Sequence, residues 1–362
     1  MIKEKLLETV LSILIVETLL LLKYLAKGNS DIQKIIVFDN TLEIVFGIID
    51  EEEGSEGGIV VEDCLLLLSN LLLYNTLNQN YLRETIGVKR FCILFNLEEE
   101  KFSAQKTKNM TESMKLLQIL LCETNPNHKS FQNEFSVTKI FSMLQELALI
   151  KNSTLPEVLI NEARITLANM ICGNQKIQDL VYENVSLINL LADDCCIRSD
   201  KLIDRGKTAL ILFRSLVTEN SALQSRIITT DNNIRSTLMN AVTDEDYQSN
   251  NFIPNIWFSC SLLSTLIKEN PECKEWLRSF RTADGTDLIS LIIYRLGKVS
   301  KTESHVLLYR AYIALLANWI CDDPLTVDDL LKEPANLQFV RKSNPSSLNL
   351  YPLCMVDPCR SA

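Results

Sequence analysis

The stretch LLLLSNLLLYNTLNQNY, residues 65–81, is an apolar run that stops at Asn75, with Gln79 four residues on and more apolar positions beyond. The same arrangement recurs at Asn29, Asn75, Asn125, Asn174, Asn220 and Asn270, at steps of 46, 50, 49, 46 and 50 residues. Four residues after each stand Gln33, Gln79, Lys129, Gln178, Gln224 and Lys274; four before stand Leu25, Leu71, Leu121, Met170, Leu216 and Leu266. Six after stand Ile35, Tyr81, Phe131, Leu180, Arg226 and Trp276, an apolar column that Arg226 alone breaks. Asn satisfies free backbone groups where one helix stops and the next begins. Each period therefore reads as a few helices sharing one apolar face, which must be buried against the neighbouring period.

A seventh repeat is suggested by residues 316–321, LANWIC, which match residues 167–172, LANMIC, at five of six positions. A step of about 50 residues fits armadillo and HEAT repeats better than TPR repeats. Asn70, Asn169 and Asn318 lie inside the last helix of their repeats, an arrangement that resembles the armadillo repeat and its inward Asn. Elsewhere that column holds Tyr24, Leu120, Ser215 and Thr265, so no groove gripping an extended peptide along its whole length is expected. The expectation is an all-α, armadillo-like α-solenoid, a right-handed superhelix of about seven helical repeats over residues 1–340. Residues 341–362, with Pro345, Pro352 and Pro358 and no helical period, read as a disordered or loosely attached tail.

Composition narrows the function. With 36 Lys and Arg against 46 Asp and Glu, the net charge is −10, which argues against a general grip on nucleic acid or anionic lipid. Only 10 Gly and 9 Pro in 362 residues leave too few turn-formers for a β-sandwich. The 11 cysteines are an odd number without framework spacing, which reads as reduced thiols in the cytosol. Residues 10–22, VLSILIVETLLLL, are interrupted by Glu17 and closed by Lys23, and fall short of the ~20 residues a membrane span needs. The repeat explains them without a signal or anchor, but leaves an apolar start that another part of the protein, a partner or an N-terminal extension should cover.

Catalytic chemistry has no constellation to rest on. His128 and His305 are the two histidines, and no nucleophile elbow, phosphate loop or dinucleotide fingerprint is present. Cys195-Cys196 and Cys354/Cys359 lack zinc spacing, and the acidic run at residues 50–58 lacks the ligand alternation of an EF-hand. No enzyme activity, cofactor or metal is therefore expected. Trp276 and Trp319 fall at repeat positions and read as core. Trp257, which follows the polar insertion DEDYQSNN (residues 244–251), is the candidate interface tryptophan.

Residues 51–84, EEEGSEGGIVVEDCLLLLSNLLLYNTLNQNYLRE, read as acidic loop, helix, Asn corner and helix. They closely resemble the hallmark segment of the general vesicular transport factor family, the Uso-type vesicle tethers of ER-to-Golgi traffic. The match runs through the Glu-Gly loop, residues 58–65, Asn70 to Leu72, Asn75, Asn78-Gln79 and Glu84. Residues 33–40 and 46–52 look like the preceding part of that family's head, residues 161–178 are the next best part, and beyond Glu84 the likeness thins to repeat architecture. The resemblance implies an armadillo-like globular head of a homodimeric, peripheral Golgi tether that docks COPII-derived vesicles at the cis-Golgi before SNARE-mediated fusion. Its implied partners are a Rab-type GTPase, SNARE proteins, golgins and other tethering factors, and no nucleic acid. Its implied place is cytoplasmic, peripheral on Golgi and ER-derived vesicle membranes.

Family heads begin several repeats earlier and continue into a coiled coil, and no heptad seam follows Val340. The chain is therefore expected to be a fragment, a truncated gene model or a reduced descendant. Under the tether reading the interaction residues are Glu51, Glu52, Glu53, Glu56, Glu62 and Asp63. Against this, Gly57-Gly58 can simply permit the turn, and carboxylates suit the first turn of a helix. The rival reading, an armadillo peptide-binding adaptor or transport receptor, would instead use Asn70, Asn169 and Asn318.

Overall fold

The computed structural model describes residues 2–97, 102–150, 155–195, 203–249, 253–298 and 303–332. In chain order the helices are α1 (Ile2–Ala26), α2 (Ser30–Phe38), α3 (Thr41–Glu51), α4 (Ile59–Leu72), α5 (Thr76–Tyr81), α6 (Ala104–Leu121) and α7 (His128–Phe135). There follow α8 (Lys139–Leu149), α9 (Glu157–Ile171), α10 (Gln175–Tyr182), α11 (Val185–Cys195), α12 (Ile203–Val217) and α13 (Ser221–Thr230). The last are α14 (Asn232–Thr243), α15 (Ile253–Ile267), α16 (Pro271–Ser279), α17 (Leu288–Lys298), α18 (Glu303–Ile320) and α19 (Pro324–Lys332). From α2 to α18 they group in threes as armadillo-like repeats. In the α5–α6 repeat a π-helical turn (Leu82–Ile86) and a 3-10 turn (Val88–Leu94) replace the middle helix.

The chain divides into two compact bodies, Met1–Ile177 and Gln178 onward. In the first, the third helices stack in the order α1, α4, α6, α9; in the second, in the order α12, α15, α18. The sequence of α4 shows why. Val61, Cys64, Leu65, Leu68, Leu71 and Leu72, at helical spacing, are all fully buried. Each such side chain contributes about 1.5–3 kcal/mol of transfer free energy. Phe46, Phe91, Phe135 and Phe131 form an aromatic seam through the first body, with successive ring centroids 5.3, 5.7 and 6.1 Å apart.

At the repeat corners two adjacent residues divide the work. The residue before the corner closes the third helix in the left-handed region, at Gly28, Tyr74, Gly173, Glu219, Glu269 and Asp322, with φ between 54 and 69°. The next residue opens the following helix. Asn29, Asn75, Asn220 and Asn270 accept from the backbone N–H groups of Ile32, Asn78, Leu223 and Cys273 at 3.1–3.3 Å. At the last corner Asp323 takes the place of Asn, and its carboxylate accepts from the Thr326 hydroxyl at 2.6 Å.

At three corners the Gln four residues on is a buried clamp between consecutive repeats. Gln33 donates to Ala26 O (3.0 Å) and Asn70 O (2.8 Å), and its own carbonyl accepts from Asn75 Nδ2 (2.9 Å). Gln178 donates to Ser215 O and Thr218 O and accepts from Asn220; Gln224 donates to Val217 O and Thr265 O and accepts from Asn270.

Two columns read from the sequence sit differently in the structure. In the Asn125 repeat, Asn127 is the N-cap residue and Pro126 precedes it, so the helix starts later than in its siblings. Lys129 is exposed as a result, and Gln132 is the clamp, donating to Asn169 O and Cys172 O at 3.0 Å each. The column six residues after each Asn is not uniformly core: Ile35 and Leu180 are exposed, and Phe131 is buried because its helix is displaced. The buried positions lie one or two residues on, at Ile36, Val37, Leu82, Val181, Ile227 and Leu277. One residue rotates a helical side chain by about 100°, enough to leave the apolar stripe.

On α1, Leu19 and Ala26 are buried while Ile13, Leu14, Leu21, Tyr24 and Leu25 are exposed. Among the described residues no single helix is long and apolar enough to cross a membrane. Seven described cysteines are free thiols, of which Cys64, Cys260 and Cys273 are buried. Burial pushes the thiols of Cys64 and Cys273 up to about 12, which keeps them protonated and unreactive at neutral pH. Cys196, Cys354, Cys359, residues 250–251 of the polar insertion and the tail 341–362 lie outside the described residues.

Candidate functional site

The acidic stretch between α3 and α4 is a folded turn. α3 runs on to Glu51, Glu53 and Gly54 are both left-handed (φ 63 and 64°), a 3-10 turn covers Gly54–Glu56, and α4 starts at Ile59. Of the loop glycines with φ in view, Gly54 supplies the left-handed conformation; Gly57 has φ −65°. Gly57 is instead required by crowding, because a Cβ there would run into Glu52 O and Val61. A Cβ on Gly54 would meet the backbone carbonyl of Ile93. Gly54→Ala is therefore expected to cost about 1–3 kcal/mol, since it adds left-handed strain to a contact with immobile backbone. A urea unfolding midpoint equal to that of the parent protein would show that the turn is not so constrained.

Three side chains from the following repeat hold this turn. Arg90 pairs with Asp50 at 2.6 Å and lies 3.8 Å from Glu43. Lys106, itself buried, pairs with Glu56. Asn109 Nδ2 donates to Gly57 O (2.8 Å) and Ser55 O (3.3 Å). Glu51, Glu52 and Glu53 remain exposed at the C-terminal end of α3, where the helix dipole disfavours carboxylates.

Glu62 and Asp63 are tied into the stacked third helices. Asp63 is buried and pairs with Lys23 of α1 at 2.7 Å. Glu62 accepts from Gln105 of α6 at 3.0 Å and lies 4.0 Å from Lys108. Further along α6, burial raises the Glu112 carboxyl pKa, but hydrogen bonds from Lys108 and Lys115 outweigh it and hold the group below the usual carboxylate range. Between α6 and α9, Gln118 donates to Glu162 (2.8 Å) and Thr166 (3.0 Å).

The asparagine column is largely engaged with backbone. Asn70 Nδ2 donates to Lys23 O (3.0 Å) and Asn318 Nδ2 to Ala314 O of its own helix (2.9 Å). Asn169 is half-buried, and its backbone carbonyl accepts from Gln132. The structure thus places Glu51, Glu52, Glu53 and Glu56 in the turn before α4, Glu62 and Asp63 in its first turns and Asn70 near its far end. Asn169 lies on α9 of the same body, and Trp257 and Asn318 belong to the second body. Trp257 is half-buried against Phe258, edge-to-face at 5.1 Å, and Trp319 is fully buried. His128 contacts Asn125 O at 2.8 Å and His305 contacts Gln248 O at 3.1 Å. Among the described residues no three His, Cys, Asp or Glu side chains gather as metal ligands. Nothing local in the sequence marks Arg90, Lys106 and Asn109 as the anchors of this turn.

The family model described as Uso1/p115 like vesicle tethering protein, head region, matches residues 128–347. This match lies beyond Glu84, where the sequence likeness thins to repeat architecture. Human general vesicular transport factor p115 is 29% identical over 346 residues, covering 89% of this chain and 35% of the human protein. Intracellular protein transport protein uso1 of Schizosaccharomyces pombe is 25% identical over 350 residues, covering 88% of this chain and 32% of the yeast protein. The chain spans about a third of the length of these curated relatives. The crystal structure of Uso1-1 superposes with a TM-score of 0.77 at 21% identity, covering 90% of this chain and 55% of that one. That of Uso1-2 gives a TM-score of 0.72 at 20% identity, covering 90% and 54%. These structures share its fold, and with the family match over most of the sequence the chain belongs to the Uso1/p115-like vesicle tethering family, carrying its head region.

Proposed function

We propose that the chain acts within the head of a vesicle tether in ER-to-Golgi transport, through protein–protein contacts and without catalysis. The observation that carries this reading is the family match over residues 128–347. In it, the head helps dock COPII-derived vesicles at the cis-Golgi before SNARE-mediated fusion, on the cytoplasmic face of Golgi and vesicle membranes. Its partners are a Rab-type GTPase, SNARE proteins, golgins and other tethering factors, and a second copy makes the full-length protein a homodimer. Residues 1–340 are part of the head and the rest a tail, a boundary that the family match, running to residue 347, would place a few residues later. Each contact need only be weak, because paired heads raise the effective concentration at the membrane. Glu51, Glu52 and Glu53 are the contact residues we favour, since they are exposed and their charge is not required by the turn. Asn70 and Asn318 each commit an amide N–H to a helix carbonyl, which counts against the peptide-adaptor reading.

Depleting the protein from cells is expected to slow ER-to-Golgi cargo transport several-fold. Re-expression of the parent protein should restore it, and E51Q/E52Q/E53Q should restore it poorly while unfolding at the same urea concentration. Cargo transport that is indifferent to depletion would overturn the tether reading. Full rescue by the triple variant would remove these three residues from the interface.

A further inference from the structure

The outer side of α3 is apolar where its sibling helices are polar. Aligned on buried residues, Leu42 of α3 corresponds to Ile140, Leu187, Ile234 and Leu288 of the other middle helices, and Phe46 to Leu144, Leu191, Leu238 and Ile292. Two residues after the first of these columns stand Ser142, Asn189, Ser236 and Ser290, but in α3 Ile44, 57% exposed. Two after the second stand Glu146, Asp193, Asn240 and Tyr294, but in α3 the half-buried Ile48. Both columns are exposed or half-buried in every sibling, so the stacking of repeats does not cover them. Phe38, five residues after Gln33 at the end of α2, is 88% exposed; its counterparts Glu84, Val137, Glu183, Thr229 and Ser279 are exposed too, and only Val137 is apolar.

The charge around this stripe is of one sign. Residues 35–56 contain seven Asp or Glu and no Lys or Arg. Arg90 pairs with Asp50 and approaches Glu43, and Lys106 takes Glu56, which leaves Asp39, Glu51, Glu52 and Glu53 without an ion pair among the described residues. The last three follow the C-terminal turn of α3, where the helix dipole favours a cation. Ile44, Ile48 and Glu51 stand at i, i+4 and i+7, the spacing that a second helix reads along its length. An extended peptide needs unpaired backbone donors and acceptors, which the flank of a helix does not offer. An anionic membrane, or the same face of a second copy, would be repelled by these carboxylates.

We propose that the outer side of α3, with Phe38, docks a basic amphipathic helix of a partner protein, whose apolar stripe lies on Phe38, Ile44 and Ile48 and whose Lys or Arg side chains meet Glu51, Glu52 and Glu53. This names the partner chemistry for the three glutamates and rests on the contact role given to them above.

The test uses the full chain and a fluorescein-labelled Leu/Lys helix of about 18 residues, five turns, whose leucines form one stripe. Its control is an isomer of the same composition without the stripe. Binding is followed by fluorescence anisotropy at about 0.15 M NaCl, and hydrogen exchange locates the site. The striped peptide is expected to bind about tenfold or more tightly than its isomer and to slow exchange in α3. I44S/I48N, which installs the side chains that α14 carries at the same places, should weaken the striped peptide about tenfold or more while unfolding at the same urea concentration. E51Q/E52Q/E53Q should weaken it roughly three- to tenfold and flatten its salt dependence. Equal binding of the two peptides, exchange protection confined to other helices, or undiminished binding to I44S/I48N would each overturn the docking face. The exchange footprint on the parent protein decides the matter even where a variant folds poorly. Peptide binding and cargo transport are separate assays, so failure of the docking face and failure of the tether reading are told apart.

Discussion

Arg295→Leu is expected to lower the unfolding free energy by about 2–5 kcal/mol, because it leaves two partly buried carbonyls at a helix end without their donors. Arg295 is 4% exposed on α17, and its guanidinium satisfies carbonyls at the C-terminal end of α14. One terminal nitrogen donates to Val242 O (2.7 Å) and to the Tyr312 hydroxyl (2.9 Å); the other donates to Thr243 O and Asp244 O, each at 2.7 Å. Val242 O and Thr243 O are among the last carbonyls of α14, and Asp244 is its C-cap residue; carbonyls at a helix C-terminus have no intrahelical donor. The guanidinium carbon also lies 4.4 Å from the ring centroid of Tyr247, so the same residue fixes the polar insertion after α14. Leucine fills part of the volume but leaves Thr243 O and Asp244 O without these donors, while Val242 O keeps the Tyr312 hydroxyl at 3.3 Å. Arg295→Lys keeps the charge but not the planar fork, and should lose an intermediate amount, about 1–3 kcal/mol. Urea unfolding followed by far-UV circular dichroism measures both. A loss under about 1 kcal/mol for Arg295→Leu would mean that water replaces the guanidinium at this helix end.

What the sequence made legible is what depends on local spacing. The Asn corners are readable because capping joins residues three apart, and α4 is readable because its apolar positions repeat with the helix. Register was harder. Pro126 and Asn127 delay one helix, which moves the clamp from Lys129 to Gln132, and a one-residue error put Ile35 and Leu180 in a core they do not enter. The acidic turn was the least readable part. As sequence, residues 51–58 look like a solvated loop, yet Arg90, Lys106 and Asn109 hold it from 40 to 54 residues away. Opposite charges at such separations leave no pattern in one sequence, so which acidic residues are structural and which are free is decided only by the fold. Glu56 and Asp63 are paired; Glu51, Glu52 and Glu53 are exposed.

Gln33→Leu is expected to cost about 2–4 kcal/mol, because it strands several buried groups at once. The amide of Gln33 connects the end of α1, through Ala26 O, to α4, through Asn70 O, and to the next corner, through Asn75 Nδ2. Both Gln33 and Asn75 are at most 5% exposed, so none of these groups regains water easily. Asn75→Ala should cost about 2–3 kcal/mol, combining a lost N-cap with the lost donor to Gln33. In the double variant the losses should fall short of additivity by about 1 kcal/mol or more, since each single change already breaks the same bond. Gln33→Glu separates shape from hydrogen bonding. It keeps the volume but presents an acceptor to two carbonyls, and should destabilise at least as much as leucine at neutral pH. Full additivity of Gln33→Leu and Asn75→Ala would show that the two amides act independently. Gln33→Leu within about 0.5 kcal/mol of the parent would show that apolar stacking of α1 on α4 carries the joint by itself. A measured coupling would instead make the amide clamp the element that fixes how consecutive repeats meet, as the same bonds do for Gln178 with Asn220 and Gln224 with Asn270.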